Sequence, residues 1–142
     1  ELERVGAPAW DDGDIELARA IQREVGVATQ GLFSTVLPLV SGHGATASSD
    51  VGETSAVVPL AELAVATRPQ GTPAHHWAQT ASAGHAIGKK GMMVAAKTLA
   101  GALQRLLADP ELVRRARAEF QQSTAGTPYQ SPLSSDAVPE SW

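Results

Sequence analysis

Cysteine is absent from this chain of 142 residues, and aromatic residues make up only 4% of it. The absence of cysteine excludes disulfides, thiolate metal sites and cysteine nucleophiles. No apolar run approaches the roughly 18–20 residues that span a bilayer, and no signal-peptide pattern opens the chain. We therefore expect a soluble protein with a cytoplasmic location and no membrane partner.

Positive charge is also scarce, since 11 Lys and Arg stand against 15 Asp and Glu, for a net charge of −4. A chain without a basic patch is a poor partner for nucleic acid. We therefore expect no nucleic-acid partner. The chain opens at Glu1 without an initiator methionine, and we interpret it as a piece of a larger protein.

Hydrophobic patterning predicts an α/β fold, with a short apolar sheet covered by helices. Apolar residues at three- and four-residue steps predict helices over about 14–24, 89–108 and 110–121. Residues 63–67 carry no charge and predict a strand that is buried on both faces. In the longest helix the repeating apolar positions predict the buried face. They are Met92, Ala95, Ala96, Leu99, Ala102, Leu103 and Leu106.

The last 20 residues differ in composition from the rest of the chain. From Ser123 onward Pro, Ser, Gly and Thr are frequent, and no helical or strand period persists. Such a segment has too few apolar residues to order itself around a core. We therefore expect one domain over residues 1–122 and an extended or disordered tail over 123–142.

Two of the four histidines, His75 and His76, are adjacent and follow a Gly-Thr-Pro turn just after the expected strand. Imidazole is the commonest metal ligand in proteins. Successive side chains of an extended segment point to opposite faces, so we expect at most one of the pair to face a site. The alternative is a surface turn in which both histidines hydrogen-bond to backbone carbonyls.

Two carboxylates, Asp50 and Glu53, lie among small residues that permit a close backbone approach, namely Ser48, Ser49 and Gly52. Either carboxylate could position a substrate or orient a metal-ligating imidazole. On the residues alone the better interpretation is structural. Ser49 or Asp50 would cap a short helix, and Glu53 would be an acid in its first turn.

The other polar candidates are weaker. His43 lies in a small polar loop, and His85 lies just before the long helix, where it could face a pocket or mark the boundary. Lys89 and Lys90 predict a solvated face beside a helix start. Nucleophile-elbow, phosphate-loop and His-Glu-x-x-His motifs are all absent.

Several motifs occur in an order shared with a known family. They are Ser49-Asp50-Val51-Gly52-Glu53-Thr54-Ser55 with Val58-Pro59, Gly71-Thr72-Pro73-Ala74-His75-His76-Trp77, Ile87-Gly88-Lys89-Lys90-Gly91-Met92 and Ala95-Ala96-Lys97. With these motifs the chain resembles the C-terminal part of metal-dependent amidohydrolases of the aminobenzoyl-glutamate utilization protein B type. That family is related to the aminoacylase and carboxypeptidase-G metallopeptidases. The resemblance reaches to about Phe120.

The resemblance implies a two-domain hydrolase with a dinuclear Mn²⁺ or Zn²⁺ site. In such enzymes a metal-bound water, activated by a glutamate base, attacks an amide carbonyl. By position in the motif, His75 matches the last metal ligand, while Asp50, Gly52 and Glu53 match the loop that lines the cleft. His76 stands where the family has a small polar residue and would neighbour the substrate, so which histidine faces the metal stays open.

The remaining ligands, the bridging carboxylate, the glutamate base and the lid domain of such enzymes have no counterpart in this chain. We therefore expect the C-terminal segment of a catalytic domain, which contributes one metal ligand but no catalytic residue. The resemblance implies that the complete enzyme takes a small-molecule amide, such as an N-acyl amino acid or an aminobenzoyl-glutamate-like compound. The alternative is a non-catalytic binding module whose exposed apolar side chains favour homo-oligomers.

Overall fold

The computed structural model of this protein describes residues 1–39, 49–134 and 137. They divide into two units. The first unit comprises the described parts of Glu1–His43 and Glu62–Ala108. The second comprises the described parts of Gly44–Ala61 and Asp109–Trp142.

Six helices account for all the regular secondary structure in the described residues. In the first unit they are α1 (Leu2–Val5), α2 (Asp12–Val25), α4 (Trp77–Gly84) and α5 (Ala86–Ala108). In the second unit they are α3 (Val51–Val57) and α6 (Pro110–Ser123). The three helices that we expected from periodicity correspond to α2, α5 and α6. No strand occurs in the part of the chain that the structure describes, so the prediction of an α/β fold with a sheet was wrong.

The segment that we expected to be a strand, residues 63–67, forms neither a strand nor a helix. It lies instead against the backbone of α5, where the carbonyl oxygen of Ala66 faces Gly91. A continuous apolar run has no period of its own, so it does not distinguish pairing in a sheet from packing on a helix. Here the contact with α5 is made by the Ala66 backbone and the Thr67 side chain, and no residue of 63–67 is fully buried, so the expected burial on both faces was also wrong.

Helix α2 has clear signals at both ends. The Asp11 side chain accepts a hydrogen bond from the Asp14 backbone at 2.9 Å, and the Asp14 side chain accepts one from the Asp11 backbone at 3.1 Å. This reciprocal pair is a capping box. The helix ends at Gly26 in the left-handed conformation. Its buried Ala18 packs with Leu32 and with Ile87 of α5 to form the small core of the first unit.

Three glycines of α5 allow other segments to touch its backbone. A Cβ atom at Gly88 would overlap the backbone of Ala83 in α4. One at Gly91 would overlap the Ala66 carbonyl and lie 2.8 Å from Thr67 Cγ2. At Gly101 a Cβ would lie 2.5 Å from the Glu1 carboxylate, beside α1. The centre of the first unit is therefore built on close backbone approach rather than on large side chains.

The buried face of α5 is not the one that we expected from its apolar repeat. The buried positions are Ile87, Gly88, Gly91, Thr98 and Gly101. The bulky residues at the repeating positions, such as Met92, Leu99 and Leu103, are more than half exposed. Three of these five buried positions are glycines, which permit the close contacts of α5 with other segments. None of the described helices, α5 included, is long and apolar enough to cross a bilayer.

A buried amide joins three segments of the first unit. The Gln22 side chain is fully buried. Its Nε2 atom donates to the carbonyl oxygens of Gln70 at 2.8 Å and Gly31 at 3.2 Å, and its Oε1 atom accepts from the Gly31 backbone at 2.9 Å. All the hydrogen-bonding partners that Gln22 uses are backbone groups, so the amide ties α2 to the chain just before the two adjacent histidines.

Lys90 links α5 to the start of α2. Its ammonium group donates to Asp11 at 2.8 Å and also to Asp14, whose carboxylate is buried. The expectation of a solvated face was therefore wrong for Lys90. The hydrogen bond from Lys90 lowers the pKa of Asp11, and the two carboxylates raise the pKa of Lys90, with Asp11 the larger cause.

The close contact at Gly91 generates a stability prediction. Gly91→Ala should lower the free energy of unfolding by about 1–3 kcal/mol, because the new methyl group meets a backbone carbonyl that cannot rotate away. Gly84→Ala is the matched control, since nothing lies within 4 Å of its Cβ position. Urea unfolding followed by circular dichroism measures both. Equal stability of Gly91→Ala and Gly84→Ala would show that residues 66–67 do not contact α5.

The ion pairs of Lys90 with Asp11 and Asp14 predict how stability depends on pH. The pKa of Asp11 is lowered in the folded state, so its ionised carboxylate stabilises the folded protein above pH 3.8. This contribution is lost as the pH falls through the pKa that Asp11 has in the folded state. The pKa of Lys90 is raised in the folded state, so its charged ammonium group stabilises the folded protein below pH 10.5. This contribution is lost as the pH rises through the pKa that Lys90 has in the folded state. The midpoint of thermal unfolding should fall at both extremes. Lys90→Met should be less stable at neutral pH and should show a weaker fall at each extreme, and identical profiles would contradict the ion pair.

Candidate functional site

A tight turn brings the chain from the Gln22 amide to the histidine pair. Pro69 is fully buried, and its carbonyl oxygen accepts from the Thr72 hydroxyl at 2.7 Å and from the Thr72 backbone at 3.3 Å. Gly71 has a φ of +73°, which glycine adopts without a Cβ penalty. The turn that we expected for the Gly-Thr-Pro sequence is present, but it leads into helix α4 and does not follow a strand.

His75 has a left-handed backbone conformation, with a φ of +53°, and its side chain is exposed. Such a φ is uncommon for a residue other than glycine and needs support from its surroundings. That support comes from Gln79, whose Oε1 atom accepts from the His75 backbone at 3.2 Å and from Arg68 at 3.3 Å. No hydrogen bond within the described part of the chain uses the imidazole of His75.

His76 is the N-cap of α4 and not a free imidazole. Its Nδ1 atom accepts a hydrogen bond from the Ala78 backbone at 3.3 Å. This hydrogen bond occupies the lone pair of Nδ1. The ring centroid lies 5.5 Å from that of Trp77. The alternative that both histidines bond to carbonyls was wrong for His76, whose partner is an N–H group.

The two histidines line an open cleft of about 720 Å³ on the surface of the first unit. Its other lining residues are Trp77, Gln79, Thr80, Ala83 and Gly84. Trp77 is half exposed, so the cleft offers an aromatic face beside polar side chains. Such a surface can hold part of a flat or acyl ligand.

The described residues by themselves do not fit a dinuclear metal site. Among them, no group of three or more His, Cys, Asp or Glu side chains could hold a metal ion. In the cleft, the Nδ1 atom of His76 accepts a hydrogen bond, whereas the imidazole of His75 makes none within the described residues. A metal ion needs several protein ligands around it, so one imidazole is not enough.

The acidic candidates lie in the second unit. Asp50 precedes α3, and its side chain makes no capping hydrogen bond, although Glu53 lies in the first turn as expected. Gly52, predicted in the loop that lines the cleft, also lies in α3. Glu53 accepts a hydrogen bond from the Tyr129 hydroxyl, and this contact raises the pKa of Tyr129. Glu53 is thus held by the segment that follows α6, a contact for which the sequence gives no signal.

The remaining polar candidates are placed as follows. His85 lies between α4 and α5, where its backbone caps α4 and its side chain is exposed. This agrees with a boundary role. Lys89 is exposed on α5. His43 and Ser48 lie outside the described residues.

Gln79, which supports the backbone of His75, is not among the residues predicted from the sequence. A signal was present, because Gln79 is the third residue of α4 and Gln is typical of that position in a capping box. The usual partner of such a side chain is the N–H group of the N-cap residue. Here Gln79 reaches one residue further back, to His75. Recognising it required knowing that α4 begins at Trp77.

Comparison with known proteins finds a relative among the amide hydrolases. The chain is 29% identical over 164 aligned positions to a p-aminobenzoyl-glutamate hydrolase subunit of Escherichia coli K12. The chain is a relative of this hydrolase subunit. The resemblance that the motifs indicated is therefore confirmed. No family model and no solved structure matches the chain.

The similarity covers the two proteins unequally. It takes in 97% of this chain but only 34% of the E. coli subunit. The chain therefore spans about a third of the length of the curated relative that it matches.

The cap on α4 generates a prediction. His76→Ala should lower the free energy of unfolding by about 0.5–1 kcal/mol, since it removes the acceptor for a first-turn N–H group. His76→Asp should be at least as stable as the parent, because a carboxylate is a better acceptor and favours the positive end of a helix. Urea unfolding at pH 7 measures both variants. An alanine variant as stable as the parent would show that His76 is not the cap.

Proposed function

We propose that this chain is part of an amidohydrolase that cleaves an aminobenzoyl-glutamate-like amide or a related N-acyl amino acid. The observation that carries this proposal is the similarity to the E. coli p-aminobenzoyl-glutamate hydrolase over nearly the whole of the chain. The open cleft beside Trp77 supports it, because an aromatic side chain can stack on a flat acyl group. The cytoplasmic location expected from the sequence remains part of the proposal.

Within that hydrolase we propose that His75 supplies one ligand to a Mn²⁺ or Zn²⁺ centre. Two features support His75 over His76. The His75 imidazole is exposed and its backbone is fixed by Gln79, whereas the His76 imidazole accepts a hydrogen bond at the end of α4. The other ligands must come from outside the described residues, so no catalytic step is assigned to this chain alone.

The deciding experiment uses a chimaera in which this chain replaces the third of the E. coli subunit that it matches. The folded chimaera should bind metal and hydrolyse p-aminobenzoyl-glutamate. His75→Ala should reduce metal occupancy and lower kcat by more than the roughly 10–100-fold that loss of an outer-shell partner costs. Elemental analysis and turnover measure the two effects.

His76→Asn is the matched control for His75→Ala, because asparagine is also a good N-cap residue. It should keep metal occupancy close to that of the parent chimaera. Full occupancy and turnover in His75→Ala would overturn the ligand assignment. A folded chimaera without metal or activity would favour the second candidate, a non-catalytic binding module.

A further inference from the structure

The side chain of Gln79 accepts two hydrogen bonds through a single atom. Its Oε1 atom accepts from the His75 backbone at 3.2 Å and from the Arg68 guanidinium at 3.3 Å. Both partners are donors, so turning the amide over would place its N–H groups against other N–H groups. The orientation of the Gln79 amide is therefore fixed, with Nε2 directed away from both donors.

The Nε2 atom of Gln79 has two N–H groups to offer. Within the described part of the chain, the hydrogen bonds of the Gln79 side chain use only Oε1. Gln79 is exposed and lines the cleft that also contains Trp77. Because Oε1 accepts from the cationic Arg68, the amide is polarised and its N–H groups become stronger donors. Nε2 is thus an oriented donor in the wall of the cleft.

Trp77 and Gln79 lie at opposite edges of the part of the cleft that α4 forms. At 3.6 residues per turn, the lining residues of α4 span about 160° of its circumference, with these two at the ends of the arc. Thr80, Ala83 and Gly84 lie between them and are small. A ligand on this floor would meet an aromatic ring at one edge and N–H donors at the other.

The indole ring of Trp77 is supported by the cap of α4. The ring centroid of His76 lies 5.5 Å away, and His76 is itself held by the hydrogen bond from the Ala78 backbone. Trp77 nevertheless keeps 52% of its surface exposed. That exposed part of the indole can stack on a flat group of a ligand.

We infer that Gln79 is a ligand-binding residue of the cleft, whose Nε2 atom donates to an oxygen acceptor of an acyl amide that lays its flat group on Trp77. This inference rests on the proposed function, because it assigns a binding residue to the amide substrate. The charge of the cleft agrees with it. None of the described residues that line the cleft is acidic, so a carbonyl or carboxylate oxygen meets no like charge there.

Gln79→Glu tests the donor without removing the support of His75. Glutamate keeps an oxygen acceptor for the His75 backbone and for Arg68, but it has no N–H group. The probes are N-benzoylglycinamide and aniline, which are both neutral and of which only the first has carbonyl oxygens. Occupancy of the cleft in the full chain is followed by the NMR signal of the Trp77 indole N–H group, which the variant Trp77→Phe identifies.

Gln79→Glu should weaken the binding of N-benzoylglycinamide by at least about 3-fold, as the loss of one net hydrogen bond predicts, and that of aniline by less than about 2-fold. Gln79→Met, which also lacks an N–H group, replaces Gln79→Glu if the latter does not fold. A smaller effect on N-benzoylglycinamide, an equal weakening of both probes, or a Trp77 signal that neither probe shifts in the parent would each overturn the inference.

This titration requires neither metal nor turnover, so its outcome is separate from that of the hydrolase proposal. In an active chimaera with the E. coli subunit, Gln79→Glu should raise KM for p-aminobenzoyl-glutamate by a larger factor than it lowers kcat. A fall in kcat with unchanged KM would overturn the inference and make Gln79 only a positioning residue for His75. A folded but inactive chimaera would count against the hydrolase proposal and leave the titration result in place.

Discussion

The close approach of three segments to the backbone of α5 is the constraint on which the first unit depends. At Gly88, Gly91 and Gly101 the missing side chain leaves room for a backbone or a polar side chain of another segment. The chain has few aromatic residues to fill the space between its elements. Short backbone distances replace them and bring many atoms within the range of dispersion attraction.

The close contacts with α5 also help to position the turn that precedes His75 and His76. Residues 66–67 lie against Gly91, and the next few residues are held by the buried Gln22 amide through the Gln70 carbonyl. The Asp11–Lys90–Asp14 cluster fixes the start of α2, the helix that carries Gln22, relative to α5. The position of His75 is thus set by contacts made in α2 and α5, and only its local conformation is set by Gln79.

The arrangement around the turn separates the roles of two adjacent histidines. His76 uses its Nδ1 atom to satisfy a backbone donor at the start of α4, whereas His75 is held by its backbone and keeps both ring nitrogens free of hydrogen bonds in the described structure. The imidazole of His75 is therefore the more accessible of the two in the lining of the open surface cleft.

The sequence by itself determined the features that depend on neighbouring residues. These include helices α2, α5 and α6, the turn before the histidines and the family resemblance carried by local motifs. Only the tertiary structure decided features that depend on distant residues. Residues 63–67 pack on a helix instead of pairing in a sheet, and α5 buries its glycines instead of its leucines. Periodicity shows which positions of an element are apolar, but it does not show which other segment covers them.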